Sequence, residues 1–357
     1  MKRNYGIDLL RLILMFMVVI LHILGHGGVI DEVRPMTAAY STLWLMEALA
    51  YYAVNCYALI TGYVHFGSRY KLSSFALIYL QALLYSISLA AIVWIIDPAS
   101  FSVEALISFL FPVSRGVYWY LSAYFGLFIL IPFLNAAVNA ISKEQAGRYL
   151  ILTFVVFTVL PTIARYDTFR VDDGYSTFWL TFLYVIGACI RKFGWFESLP
   201  WRKAFGVYLL CVLISWGSKL CFEMITKGLL GVPATVFYFI SYTSPTIVLA
   251  AAALFLSFKN RPLSPRLGKA VAALSPAAFG VYLIHDHDAV SDFFIAKRFG
   301  FLAGLPLPMT VAGVVLSALA VFSLCLLIDW VRCRIFARLR VKEWLDRLET
   351  RLLRTGI

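Results

Sequence analysis

Four polar residues in the first apolar stretch of this chain have types and spacing suited to acid–base chemistry: Asp8, Arg11, His22 and His26. Charged groups inside an apolar span are costly and usually face a protein interior. Arg11 and His22 are eleven positions apart, close to three α-helical turns, so both lie on one side. At 1.5 Å per residue they are about 16 Å apart along the axis. Asp8 at i−3 from Arg11 and His26 at i+4 from His22 extend the stripe. One face thus carries a guanidinium near one mouth and an imidazole deep within, groups that can hold an anion and move a proton. The plain alternative is a pair of helix-end charges and a satisfied core histidine.

A second cluster, Gly280-Val-Tyr-Leu-Ile-His285-Asp286-His287-Asp288, falls at the end of a later apolar run. His/Asp clusters can bind zinc, but this one has no defined ligand spacing, and no metal is expected. The other polar groups inside apolar runs are Glu47, Asn55, Gln81, Lys219, Glu223 and Asp329. Lys219 and Glu223, four apart on one helix, are expected to pair, and Asp329 beside Arg332 reads as a structural ion pair. Tyr118, Trp119, Tyr120 and Tyr124 form either an interfacial aromatic belt or a platform on which a sugar ring stacks.

The elements that must position these groups are membrane helices. Of 357 residues, 62% are hydrophobic and 14% charged, whereas soluble domains are about a quarter charged. Mean hydropathy is +0.84. Such a chain needs lipid as its solvent. About ten spans are expected, near 7–26, 41–65, 73–96, 118–140, 149–165, 176–193, 205–226, 234–257, 270–287 and 309–331. Residues 101–112 are too few to cross and suit the interface. The fold class is an all-α, polytopic membrane helix bundle, with residues 1–334 as one membrane domain. Residues 335–357 form a basic tail, read either as an amphipathic helix on an anionic leaflet or as a solvated end.

Lysine and arginine favour cytoplasmic loops. Through ten spans, 22 of the 31 fall in segments assigned inside and 7 in those assigned outside. Both termini are therefore expected in the cytoplasm. Topology accounts for the net charge of +12 better than nucleic-acid binding does. The first apolar run holds Asp8 and Arg11 and lacks a small-residue cleavage site, so it reads as a retained helix rather than a signal peptide. The six cysteines show no CxxC spacing and read as small buried hydrophobes.

The Arg11-x10-His22 pattern resembles the signature of the acyltransferase-3 family of membrane acyltransferases. Several stretches, in order, are similar too: Tyr5-Gly-Ile-Asp8-Leu-Leu-Arg11, Leu59-Ile-Thr-Gly62-Tyr63, Tyr118-Trp-Tyr-Leu-Ser-Ala-Tyr124, Ile131-Pro-Phe-Leu-Asn135 and Gly280-Val-Tyr-Leu-Ile-His285. The resemblance implies transfer of an acyl group, often acetyl, from cytoplasmic acyl-coenzyme A to a hydroxyl of a glycan, lipid-linked sugar or small molecule at or beyond a bacterial plasma membrane. It implies His22 as catalytic histidine and Arg11 as its partner. The family's basic motif, often R-x-R, appears as Arg69-Tyr-Lys71. With Arg11, these two would meet the donor's phosphates, lysine only as a point charge. Asn55, the Tyr118–Tyr124 group, His285 and Asp286 are candidate acceptor-binding residues, Asn55 and the Tyr118–Tyr124 group also candidate oxyanion donors, and Asp286 a candidate acid to fix the His22 tautomer. Two readings from other classes remain: a transporter with a midplane polar site, and a membrane sensor or scaffold with the tail as output. Oligomeric state is not legible, because lipid-facing and partner-facing apolar surfaces look alike.

Overall fold

A computed structural model describes residues 3–98, 102–233 and 239–354. Among these residues every regular element is a helix. In chain order they are α1 (Tyr5–Leu24), α2 (Ala38–Ala50), α3 (Ala53–His65), α4 (Leu72–Ile96), α5 (Val103–Leu110), α6 (Trp119–Ala140) and α7 (Lys143–Phe154), then α8 (Leu160–Ala164), α9 (Thr177–Phe193), α10 (Trp201–Leu230), α11 (Pro245–Lys259), α12 (Pro265–Leu274), α13 (Ala278–His285), α14 (Asp288–Val290, a single turn), α15 (Leu307–Arg338) and α16 (Val341–Arg354).

Among the described residues, eight helical stretches are long and apolar enough to cross a membrane, and they coincide with eight of the expected spans. The other two expected spans are shorter helices, the 17 residues of α9 and the 15 of α11. The expected start of the latter span, 234–238, lies outside the described residues.

Two spans read as continuous are interrupted. The span over 41–65 breaks at Tyr51–Tyr52 into α2 and α3. The span over 270–287 passes through a 3₁₀ turn at Ser275–Ala277, where Pro276 removes a backbone donor. The last span runs on to Arg338, beyond the expected 331, and turns at Arg340 (φ 52°) into α16.

Polar caps set several starts. The Asn4 side chain accepts from the Ile7 N–H, and Ser142 and Gln145 form a reciprocal capping box at α7.

The α1 helix is central, packing against α2, α3, α11, α12, α13 and α15. In lipid no hydrophobic force draws helices together, so close backbone approach at small residues carries much of the association. The α3–α9 contact shows this. A Cβ at Gly62 would lie 2.0 Å from the Tyr184 carbonyl oxygen, and one at Gly187 would lie 2.2 Å from that of Leu59. Both obstacles are backbone and cannot rotate away. Gly62→Ala is therefore expected to destabilise the bundle by about 1–3 kcal/mol, the usual cost of overpacking. Thermal unfolding of the purified protein reads this directly, and an unchanged midpoint would refute the packing account.

Candidate active site

The imidazole of His22, near the end of α1, meets α13 and the residue that follows it. His22 Nδ1 lies 3.0 Å from His285 Nε2 and 3.3 Å from Asp286 Oδ1. The His26 ring stacks on His22 with centroids 4.7 Å apart. His285 is 1% exposed, and its Nδ1 is 2.6 Å from the Val281 carbonyl oxygen.

These contacts assign the tautomers. A carbonyl only accepts, so His285 Nδ1 carries a proton and its Nε2 in the neutral ring is an acceptor. His22 Nδ1 must then donate, shared between His285 Nε2 and the Asp286 carboxylate. The lone pair of His22 is left on Nε2. His22, His26 and Asp286 also bring one ligand atom each within 4.8 Å of the others, so this is where the described residues could hold a metal ion.

His22 lines a cavity rather than facing lipid. The walls include Met15 and Val18 from α1, Val54 and Tyr57 from α3, Trp119 and Tyr120 from α6, and Tyr242 and Tyr282. It holds about 60 Å³ of space that the centre of a water molecule can visit, which is room for small groups rather than long chains.

The Arg11 end is about three turns away, as the spacing requires. The guanidinium is 3.4 Å from Asp8 Oδ1, and its side chain is 32% exposed. It lies within electrostatic reach of Tyr57, His65 and Tyr124. Asp8 is buried and also takes a hydrogen bond from Ser275 Oγ at 3.0 Å, which ties α1 to the break before α13.

A file of rings joins the two ends. Tyr57 and Tyr120 have centroids 6.4 Å apart, Tyr120 and Tyr124 6.5 Å, and Tyr124 and Phe128 6.3 Å. Phe128 in turn meets His65 at 6.4 Å and Tyr70 at 4.8 Å. Tyr70 sits in the loop with Arg69, which is exposed, and Lys71, whose Nζ is 3.6 Å from Asp346 of the tail.

The expected acceptor-side residues divide. Trp119 and Tyr120 line the cavity, and Tyr124 continues the file. Tyr118 is fully buried, its hydroxyl donating to the Leu283 carbonyl at 2.9 Å, so it braces α6 on α13. Asn55 is also fully buried. Its amide donates to the Tyr242 carbonyl (2.8 Å) and its oxygen accepts from Trp179 Nε1 (3.1 Å), so it joins α3 to α9 instead of facing the cavity.

Sequence reasoning missed Tyr57, Tyr242 and Tyr282. Tyr282 lies within the Gly280–His285 run, one turn from His285, and that proximity is the signal available for it. The expected ion pairs are present: Lys219 bonds Glu223, whose Oε1 also accepts from Tyr40 Oη at 2.6 Å.

Taken together, an all-helical membrane bundle around a contact between buried His285 and half-buried His22 defines a polytopic membrane protein with a polar site inside it. A family model described as an acyltransferase domain matches residues 4–330, so the chain belongs to the acyltransferase-3 family and is a membrane acyltransferase. No curated protein and no solved structure matches it.

Proposed function

We propose that the protein transfers an acetyl-sized acyl group from acyl-coenzyme A, entering at the Arg11 end, to a hydroxyl of an acceptor reaching the His22 end. The observation that carries this reading is the His22–His285–Asp286 arrangement, which leaves an unprotonated Nε2 on a ring that lines a cavity.

His22 Nε2 takes the proton of the acceptor hydroxyl as its oxygen attacks the thioester carbonyl. The C–S bond then breaks, and the thiolate recovers that proton from the imidazolium. Asp286, at 3.3 Å, favours the transient positive charge on His22. The oxyanion falls to the Tyr120 hydroxyl of the cavity rather than to Asn55.

The donor's phosphates suit Arg11 and the Arg69–Lys71 loop. The pantetheine arm then runs along the ring file from Tyr70 to Tyr120. The basic excess at the Arg11 end supports a cytoplasmic side there, with both termini on it, and an acceptor, a glycan or other hydroxylated molecule, met from the other side of what we read as a bacterial plasma membrane. The small cavity supports acetyl over longer chains.

Removing the guanidinium tests the donor side. Arg11→Gln is expected to raise the dissociation constant for acetyl-coenzyme A about tenfold, the scale of a hydrogen bond to a charged group. Titration calorimetry on the protein in nanodiscs reads it, and unchanged binding would remove Arg11 from the donor site. The interrupted helices α2–α3 and α12–α13 also suit a transporter. Solute flux into proteoliposomes without acetyl-coenzyme A turnover would favour that reading.

A further inference from the structure

The last helix, α16, lies outside the matched family region, which ends at residue 330. It is nevertheless docked on the loop assigned above to the donor's phosphates. We propose that α16 is an intramolecular latch on the donor site, with the carboxylates of Asp346 and Glu349 occupying the hydrogen-bond donors that a phosphate of acyl-coenzyme A would take. The latch rests on the donor reading given under Proposed function.

Four contacts define it. Lys71 Nζ is 3.6 Å from Asp346 Oδ1, and Ser73 Oγ donates to the same oxygen at 2.5 Å. The Leu72 N–H donates to Glu349 Oε1 at 2.8 Å and the Ser73 N–H to Oε2 at 3.3 Å.

Leu72 and Ser73 open α4, and their N-cap Lys71 makes no side-chain capping bond. The first N–H groups of a helix have no partner within it, so Glu349 supplies from the tail what the cap does not. Two helix N–H groups, a hydroxyl and an ammonium are also a donor set that a phosphate accepts from. A carboxylate and a phosphate oxygen cannot use the same donors at once.

The hydrogen bond from Ser73 holds the Asp346 carboxyl below its usual range, so it is an anion at neutral pH. The loop is also the inner end of the ring file, since Tyr70 contacts Phe128.

The clamp is built to open. The Lys71 and Asp346 side chains are 38% and 36% exposed, and exposed pairs hold weakly. Among the described side chains of α16, Leu345 is the buried hydrophobe, whereas Trp344, Leu352 and Leu353 are exposed. A ligand that binds only the undocked form has its apparent affinity reduced by the undocked fraction.

Calorimetric titration of acetyl-coenzyme A into the full chain in nanodiscs tests the latch. Compared with wild type, the double variant Asp346→Asn/Glu349→Gln and a deletion of 341–357 are each expected to bind about fivefold more tightly. Equal affinity in wild type and the double variant overturns the proposal, as does weaker binding, which would make α16 a brace that orients Lys71. The double variant keeps the helix, so it decides if the deletion fails to fold. Absence of binding in every form overturns the donor reading and the latch together. Binding of equal strength overturns the latch alone.

Discussion

His22→Ala is expected to lower acyl transfer by about 10²–10⁴-fold, the usual contribution of a positioned acid–base group, while the protein still inserts and folds. The substitution removes the one unprotonated nitrogen assigned to the cavity wall. The structural cost is modest. His22 is 18% exposed and lines a cavity, so what it leaves behind, His285 Nε2 and the Asp286 carboxylate, can meet water in the space the imidazole vacates.

Two readouts separate chemistry from folding. Turnover of labelled acetyl-coenzyme A by the purified protein, with water as acceptor, reports the reaction. The thermal midpoint reports the fold. Asp286→Asn should fall between wild type and His22→Ala, because it keeps a hydrogen-bond acceptor for Nδ1 and loses the charge. Undiminished turnover by His22→Ala would end the general-base assignment.

Asp329→Ala carries the largest expected effect on stability, about 3–5 kcal/mol, as for removing one partner of a buried ion pair. Asp329 is fully buried on α15. It accepts from Gln81 Nε2 (3.1 Å), from Tyr85 Oη (2.8 Å) and from Arg332 by both oxygens, at 2.9 and 2.7 Å. Its loss leaves a mostly buried guanidinium and two other donors of α4 without their acceptor. The site would loosen as well. A Cβ on Gly280 would lie 2.0 Å from Asp329 Cγ, so this carboxylate is the floor on which α13 rests. A midpoint within a degree or two of wild type would refute the hub. Asp329→Asn, which keeps the shape, should lose less.

Much of this was legible in the sequence because membrane helices announce themselves by composition, and because a polar stripe on α1 obeys the 3.6-residue period. The Lys219–Glu223 and Asp329–Arg332 pairs were legible for the same reason, each being local to one helix. What the period cannot supply is which helices meet. The contact between His22 and His285 spans 263 positions. Nothing in either run states it, because apolar faces look alike whether they meet lipid or protein.

Asn55 shows the cost of that blindness. An amide in a span suggested a donor for chemistry, but it serves as a tie between helices. The breaks differ in kind. Pro276 marks one, while Tyr51–Tyr52 has neither proline nor glycine, and its two rings pack on the distant Tyr242 and Tyr208. The tail's basic character was plain, but its docking depends on two acidic residues within it, which a count of positive charge passes over.

The seat of α13 on Asp329 has an evolutionary consequence. This eight-residue helix bears His285 and Tyr282, and the glycine contact fixes its depth, so the wall it gives the cavity has little freedom to drift. Other lining residues, Val54, Trp119 and Tyr242, stand at helix starts and in a loop, where side chains can change size without moving a backbone. Divergence among paralogues toward new acceptors should therefore accumulate at those positions, while the histidine wall stays constant.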